Sequence, residues 1–207
     1  MPPPEKEESL TLEILEAIEA DSRISQRGLA RQLGVALGLA NSYLRRCVRK
    51  GLIKVQEAPA NRYLYYLTPK GFAEKSRLTA EYLSYSFDFY RRAGESLRRV
   101  FDGCRRDGHR SIVLAGASDL AEIALLRVEE YGLEIVAVYD PEAAMEQFHG
   151  LSVCSGLAEL PDHDLCIISA LNDPAGLLQQ LRDEGYPGMV TAPDILGLKL
   201  STGEEEP

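Results

Sequence analysis

The stretch LARQLGVALGLANSYLRRCVRKGLI, residues 29–53, decides the fold of the first half of the chain. Leu29, Ala30 and Leu33 recur at helical spacing and stop at Gly34, and Ser25 is the residue type that caps a helix opening at Gln26. A second helical pattern, Leu37 to Lys50, carries Ala40, Leu44 and Cys47 on one side. It ends at Gly51, which takes the left-handed position after a helix at least steric cost. Leu52-Ile53 then opens a strand. These offsets are those of a helix-turn-helix core running into β-structure. Upstream, Leu10 to Ile18 alternate apolar and acidic residues at helical spacing, with Ser9 in place to cap a first helix.

With the apolar side of the 37–50 helix assigned to the core, Leu37, Gly38, Asn41, Ser42, Arg45, Arg46, Arg49 and Lys50 are left to face outward. Asn pairs in bidentate fashion with adenine and Arg with guanine, and a glycine lets the backbone come close, so this face suits a major groove. The strand-like runs Leu52–Gln56 and Arg62–Leu67, joined by Glu57-Ala58-Pro59-Ala60-Asn61, read as a hairpin wing. Lys54 and Arg62 on that wing are expected to meet phosphates, fixing register without reading sequence. Charge agrees. The formal net charge is -9, yet residues 22 to 77 hold twelve Lys/Arg against Glu57 and Glu74, a local +10, and a polyanion responds to the local field.

From residue 9 to about 92 the chain resembles the winged helix-turn-helix of MarR-type transcriptional regulators, in particular their exopolysaccharide-associated branch. The resemblance rests on Leu33-Gly34-Val35, Leu37-Gly38 and Asn41, on Lys50-Gly51-Leu52-Ile53-Lys54, and on Tyr66-Leu67-Thr68-Pro69-Lys70-Gly71 with Glu74-Lys75 and Leu78-Thr79. Ala36 departs from the Ser or Thr common before such a recognition helix, removing a cap of about 1 kcal/mol. The resemblance implies a dimer bound to double-stranded DNA and target genes for surface polysaccharide.

Thr68-Pro69 opens a long helix that runs to about Arg106, interrupted in composition only by Gly94. Ala80, Leu83, Phe87, Tyr90, Gly94, Leu97, Phe101 and Cys104 alternate steps of three and four, a seam of period 3.5. Such a seam packs either on its own domain or on a second chain. A helix this long cannot bury its seam against so small a winged domain, so a homodimer through residues 69–107 is expected.

Past Gly108 the pattern changes. Ser111–Gly116 reads as a buried strand, Ala117-Ser118-Asp119 leads into a helix to Tyr131, and Ile135–Asp140 is a second strand. This is a βαβ unit and hence a parallel sheet. Leu165–Ser169 and Met189–Thr191 supply further strands around a helix opened by Asp173-Pro174. The half resembles a small Rossmann-like domain of the kind found in CoA-binding and sugar-nucleotide-related proteins and in NADH-sensing repressors. Gly116 and Asp140 match that fingerprint's first glycine and ribose acid, but its later glycines are Ser118 and Ala121, and Asp119 adds negative charge where a pyrophosphate would sit. Residues 111 to 207 hold only Arg127, Arg182 and Lys199 against eighteen acids. A ligand at the carboxyl edge of the sheet is expected to touch Gly116, Ala117, Ser118, Asp119, Asp140, Ser169 and Asn172, and its identity is open.

The sequence marks no catalytic residue and no metal site. His109, His149 and His163 fall at boundaries or in loops, no CxxC, Walker motif or nucleophile elbow occurs, and Cys47, Cys104, Cys154 and Cys166 read as buried thiols. The expected organisation is α/β: a disordered start (1–8), a winged helix-turn-helix (9–68, α+β), a long linker and dimerisation helix (69–107), a Rossmann-like parallel α/β domain (108–200) and a disordered acidic tail (201–207). No export signal or membrane-length apolar run is present, and a cytoplasmic location is expected. These expectations describe a dimeric DNA-binding regulator, not an enzyme, whose second domain senses a small-molecule or nucleotide effector or completes the assembly. The alternatives are a sugar-nucleotide or dinucleotide enzyme that oligomerises through the winged domain, and an architectural DNA-binding protein without a ligand.

Overall fold

The computed structural model describes residues 6–59 and 62–198, and the chain divides into two compact units, Met1–Asp88 and Phe89–Pro207. The starting Met1-Pro2-Pro3-Pro4 and the acidic tail 201–207 lie outside the described residues. Among the described residues no helix is long and apolar enough to cross a membrane.

The first unit holds α1 (Lys6–Ala20), α2 (Gln26–Gln32), α3 (Leu37–Arg49) and a hairpin of β1 (Ile53–Ala58) and β2 (Arg62–Leu67). α1 begins before the expected cap. Ser9 lies inside it and bonds Glu13 at 3.2 Å, while Glu7 and Glu8 occupy the first turn, where carboxylates suit the exposed N–H groups. Ser25 caps α2 by accepting from Gly28 N at 2.9 Å, and Ala36 precedes α3 without a side-chain cap. Ile14, Leu15, Ile18, Leu29, Leu44, Cys47, Leu52, Ile53 and Tyr65 close one core. β1 and β2 pair antiparallel from Ile53↔Leu67 to Ala58↔Arg62.

α4 (Pro69–Asp107) opens with Thr68, whose hydroxyl donates to Gly51 O at 2.7 Å and accepts from Gly71 N at 3.0 Å. Gly71 is required by packing: a Cβ there would lie 2.1 Å from Leu52 O. The helix serves two surroundings. In the first unit Leu78 is buried, but Tyr82, Leu83 and Phe87 are 52%, 46% and 61% exposed.

In the second unit the expected seam is corrected. Ala93, Leu97, Phe101 and Cys104 are buried in one cluster with Ile112, Leu114, Leu120, Ala124 and Ile135, so this part of α4 covers a face of the unit's own sheet. Periodicity alone reveals that a stripe is buried, not what buries it. The sheet comprises β3 (Ser111–Ala115), β4 (Glu134–Tyr139), β5 (Gln147–Phe148), β6 (Leu151–Cys154), β7 (Leu165–Ile168) and β8 (Met189–Thr191), in the order β5-β6-β4-β3-β7-β8. All pairs are parallel except β5 with β6. α5 (Asp119–Arg127) joins β3 to β4 and shares the α4 cluster. α6 (Pro174–Asp183) joins β7 to β8, and its Leu178 and Leu181 pack with Val113, Ala115, Ala137, Cys166 and Ile168, the alternate strand residues. The architecture is α/β, a winged helix followed by a parallel-dominated Rossmann-like domain.

Candidate DNA-binding face and ligand cleft

On α3 the steps i, i+4, i+7 and i+11 align Gly38, Ser42, Arg45 and Arg49 in one exposed stripe opposite buried Ala40, Leu44 and Cys47. Leu37 is 41% exposed beside it. Among the described residues neither Arg45 nor Arg49 is in an ion pair, so both cations face solvent. The other expected contacts divide. Arg46 pairs with Glu7 at 2.6 Å and Lys50 approaches the same carboxylate at 4.0 Å, placing both on the flank of α3 toward α1. Asn41 is half-buried, and its Oδ1 is buried without a partner, so it borders the core instead of standing clear of it. Lys54 is exposed on β1; Arg62 begins β2, and its side chain lies outside what is described. A groove of about 500 Å³ separates α3 from the hairpin, lined by Ser42, Arg45, Val48, Arg49, Val55 and Tyr63. Tyr63 and Glu7 carried no readable signal in the sequence, since each acquires its place only from tertiary packing.

In the second unit the loops after β3, β4 and β7 meet at the carboxyl edge of the sheet, where the connections after the adjacent strands β3 and β7 turn to opposite faces, α5 to one and α6 to the other. They enclose a cleft of about 660 Å³. Gly116, Ala117, Ser118, Asp119, Asp140 and Asn172 all line it. Ser169 does not: it is fully buried, and its hydroxyl bonds Ala115 O at 3.0 Å and Gly116 O at 2.7 Å. Gly116 has φ +107, and a Cβ there would lie 2.5 Å from Ala170 N.

Three of the cleft's polar side chains, Ser118, Asp140 and Asp173, are bonded to backbone groups of its own loops and helix starts. Asp140 Oδ2 accepts from Ala117 N at 2.9 Å and its Oδ1 from Glu142 N at 3.1 Å. Ser118 Oγ accepts from Leu120 N (3.1 Å) and Ala121 N (3.4 Å), capping α5, and donates to Ser169 O at 2.6 Å. Asp173 caps α6 through Gly176 N at 2.9 Å. Glu142, Met145, Asp173 and Gln180 also line the cleft. Sequence reasoning missed these four as site residues, although the Asp173-Pro174 cap marked where the loop must turn back.

The shifted titrating groups lie elsewhere. Burial pushes the Cys47 and Cys104 thiols up to about 11 and Cys166 up to about 12, leaving them protonated and unreactive at neutral pH. Tyr139, fully buried, is raised by burial and by its 2.9 Å bond to Glu184. Asp164 is held down at about 2 by the backbone N–H groups of Ser111 and Arg110 and the Ser111 hydroxyl, which tie β7 to the start of β3. Of the histidines, His149 lies 3.5 Å from Glu122, His163 bonds Pro161 O and Tyr186, and His109 is half-buried with Nε2 unpartnered.

A family profile described as winged helix-turn-helix DNA-binding matches residues 8–54. No curated protein matches the chain. Among solved structures the chain is similar to MepR, a transcription regulator of the Staphylococcus aureus multidrug efflux pump MepA. That alignment has 24% identity, covers 41% of this chain and 62% of that one, and has a TM-score of 0.36. It is also similar to the O-methyltransferase NcsB1 from neocarzinostatin biosynthesis (14% identity, 89% and 76% coverage, TM-score 0.37) and to human N-acetylserotonin methyltransferase (15%, 89% and 75%, 0.32), each solved with S-adenosylmethionine. The expectation that the chain is not an enzyme is withdrawn on this finding, because the structures aligned along most of the chain are enzymes. At these identities and scores no activity is taken from the likeness. The N-terminal part of the chain holds a winged helix-turn-helix domain, matched over residues 8–54, and a MarR family transcription regulator is among the solved structures to which the chain is similar (21% identity, 48% and 74% coverage, TM-score 0.34).

Proposed function

We propose that the protein is a cytoplasmic DNA-binding transcriptional regulator that acts as a homodimer and responds to a small molecule held in the cleft of its Rossmann-like domain. The observation that carries this reading is the α3 stripe of Gly38, Ser42, Arg45 and Arg49, exposed on a helix whose opposite side is core, within a segment of charge +10. A helix presenting two unpaired arginines beside a small polar residue and a glycine has the size and chemistry to read base edges. Lys54 and Arg62 on the wing would add phosphate contacts.

Dimerisation is assigned to the exposed stretch of α4 around Tyr82, Leu83 and Phe87, since a second copy would cover three large apolar groups that the chain itself leaves in solvent. The residue pattern of the exopolysaccharide-associated branch makes surface-polysaccharide genes the first targets to examine. Selection of bound duplexes from a random pool tests the reading. A preferred site should emerge, and Arg45→Ala should weaken it by about 1 to 3 kcal/mol relative to scrambled duplex. Recovery of no preferred sequence, with equal binding by wild type and Arg45→Ala, would refute it.

A further inference from the structure

We propose that the cleft at the carboxyl edge of the second unit takes a phosphate-free molecule of nucleoside size that offers hydroxyl or amine hydrogens, and that it turns away dinucleotides. This rests on the reading of the cleft as the effector site. In a Rossmann-like fold a pyrophosphate is received by peptide N–H groups of the first turn and by the N-terminus of the following helix. Here most of those groups, Ser118 and Asp119 N–H excepted, are already engaged. Ala117 N–H is bonded to Asp140 at 2.9 Å, and Leu120 and Ala121 N–H are bonded to Ser118 Oγ at 3.1 and 3.4 Å. On the neighbouring helix Gly176 N–H is bonded to Asp173. A phosphate would have to displace carboxylates or the helix cap to reach them.

The two residues that look like a dinucleotide fingerprint therefore serve the chain itself. Asp140 ties two loop N–H groups together, and Gly116 is needed because the Ala170 backbone passes within 2.5 Å of where a Cβ would be. Charge argues the same way: Asp119, Asp140, Glu142 and Asp173 line the cleft, and among the described residues no Lys or Arg does. What remains free for a ligand is mainly acceptor capacity. Each Asp140 oxygen has accepted one bond and keeps a second lone pair, and the exposed Glu142 carboxylate is open. Hydroxyls and amines satisfy such acceptors, phosphates repel them, and Met145, Leu171 and Leu177 supply apolar surface for a ring.

The test is calorimetric titration of the full chain with adenosine, AMP and NADH. Adenosine should bind at least tenfold more tightly than AMP or NADH. Glu142→Gln, an exposed substitution, should narrow the gap between adenosine and AMP several-fold. AMP or NADH binding as tightly as adenosine would overturn phosphate exclusion while leaving the cleft as a ligand site. An adenosine–AMP gap unmoved by Glu142→Gln would also overturn the proposal, by placing the ligand elsewhere. Failure of all three probes to bind would overturn the effector-site reading, and this inference with it.

Discussion

Leu97→Ala separates the two surroundings of α4. Leu97 is 0% exposed and lies in the cluster with Ile112, Leu114 and Leu120, so truncation removes buried methyl groups from a core that cannot fully collapse around the gap. Such a change costs about 2 to 5 kcal/mol. In a unit of this size that lowers the melting temperature on the order of 10 °C. The paired substitution is Leu83→Ala, at a position 46% exposed in the chain, where the folded monomer should lose no more than about 0.5 kcal/mol. The assay is thermal unfolding followed by circular dichroism at two protein concentrations a hundredfold apart. Leu97→Ala should depress the transition equally at both, because its partners are in the same chain. The shift from Leu83→Ala should depend on concentration, because its partner is a second copy. A concentration-dependent effect of Leu97→Ala, with monomer stability unchanged, would refute the assignment of this half of the seam to the sheet.

Replacing both Leu83 and Phe87 with Asp should yield monomers by light scattering and weaken DNA binding, since unpaired charges would be buried at the interface; a dimer that survives places the interface elsewhere. Gly71→Ala should destabilise the winged unit by more than about 1 kcal/mol in chemical denaturation, because its Cβ would meet Leu52 O; wild-type stability would show that the junction relaxes freely. The Asp164 carboxyl, held at about 2 against an ordinary 3.8, contributes stability that is complete above its unfolded value and is lost as pH falls from about 4 towards 2. Asp164→Asn should therefore lower the stability of the second unit at neutral pH and flatten its acid limb, and an unchanged acid limb would count against the tie between β7 and β3. The buried thiols should resist alkylation in the folded protein at neutral pH, with rapid labelling of Cys166 contradicting its burial.

The winged half was legible because its signals are local. Ser25, Gly34 and Gly51 mark helix ends, and Ala40, Leu44 and Cys47 mark a buried side, before any long-range contact exists. The start of α1 was misplaced because Ser9 has capping chemistry but sits one turn inside a helix favoured by Glu7 and Glu8. The strands β3, β4 and β7 announced themselves as continuous apolar runs, whereas the β5–β6 hairpin did not. β5 is two residues long and turns through His149 at φ 49 and Gly150 at φ 85. Site residues were less legible than elements. Arg45 and Arg46 are adjacent and chemically identical, yet only the fold decides that Glu7 holds one of them. Ser169 likewise ends an apolar strand at the cleft edge, but its hydroxyl turns inward to two carbonyls.

The central claim is that the α3 stripe binds duplex DNA, and the salt dependence of that binding tests it most directly. Fluorescence anisotropy across a range of salt concentrations gives the slope of log affinity against log salt, which counts the phosphates neutralised. The wild type should show a steep negative slope. Lys54→Ala should reduce its magnitude by about one while weakening all sequences alike, and Arg45→Ala should weaken the preferred sequence most. A shallow slope that neither substitution changes would contradict the account.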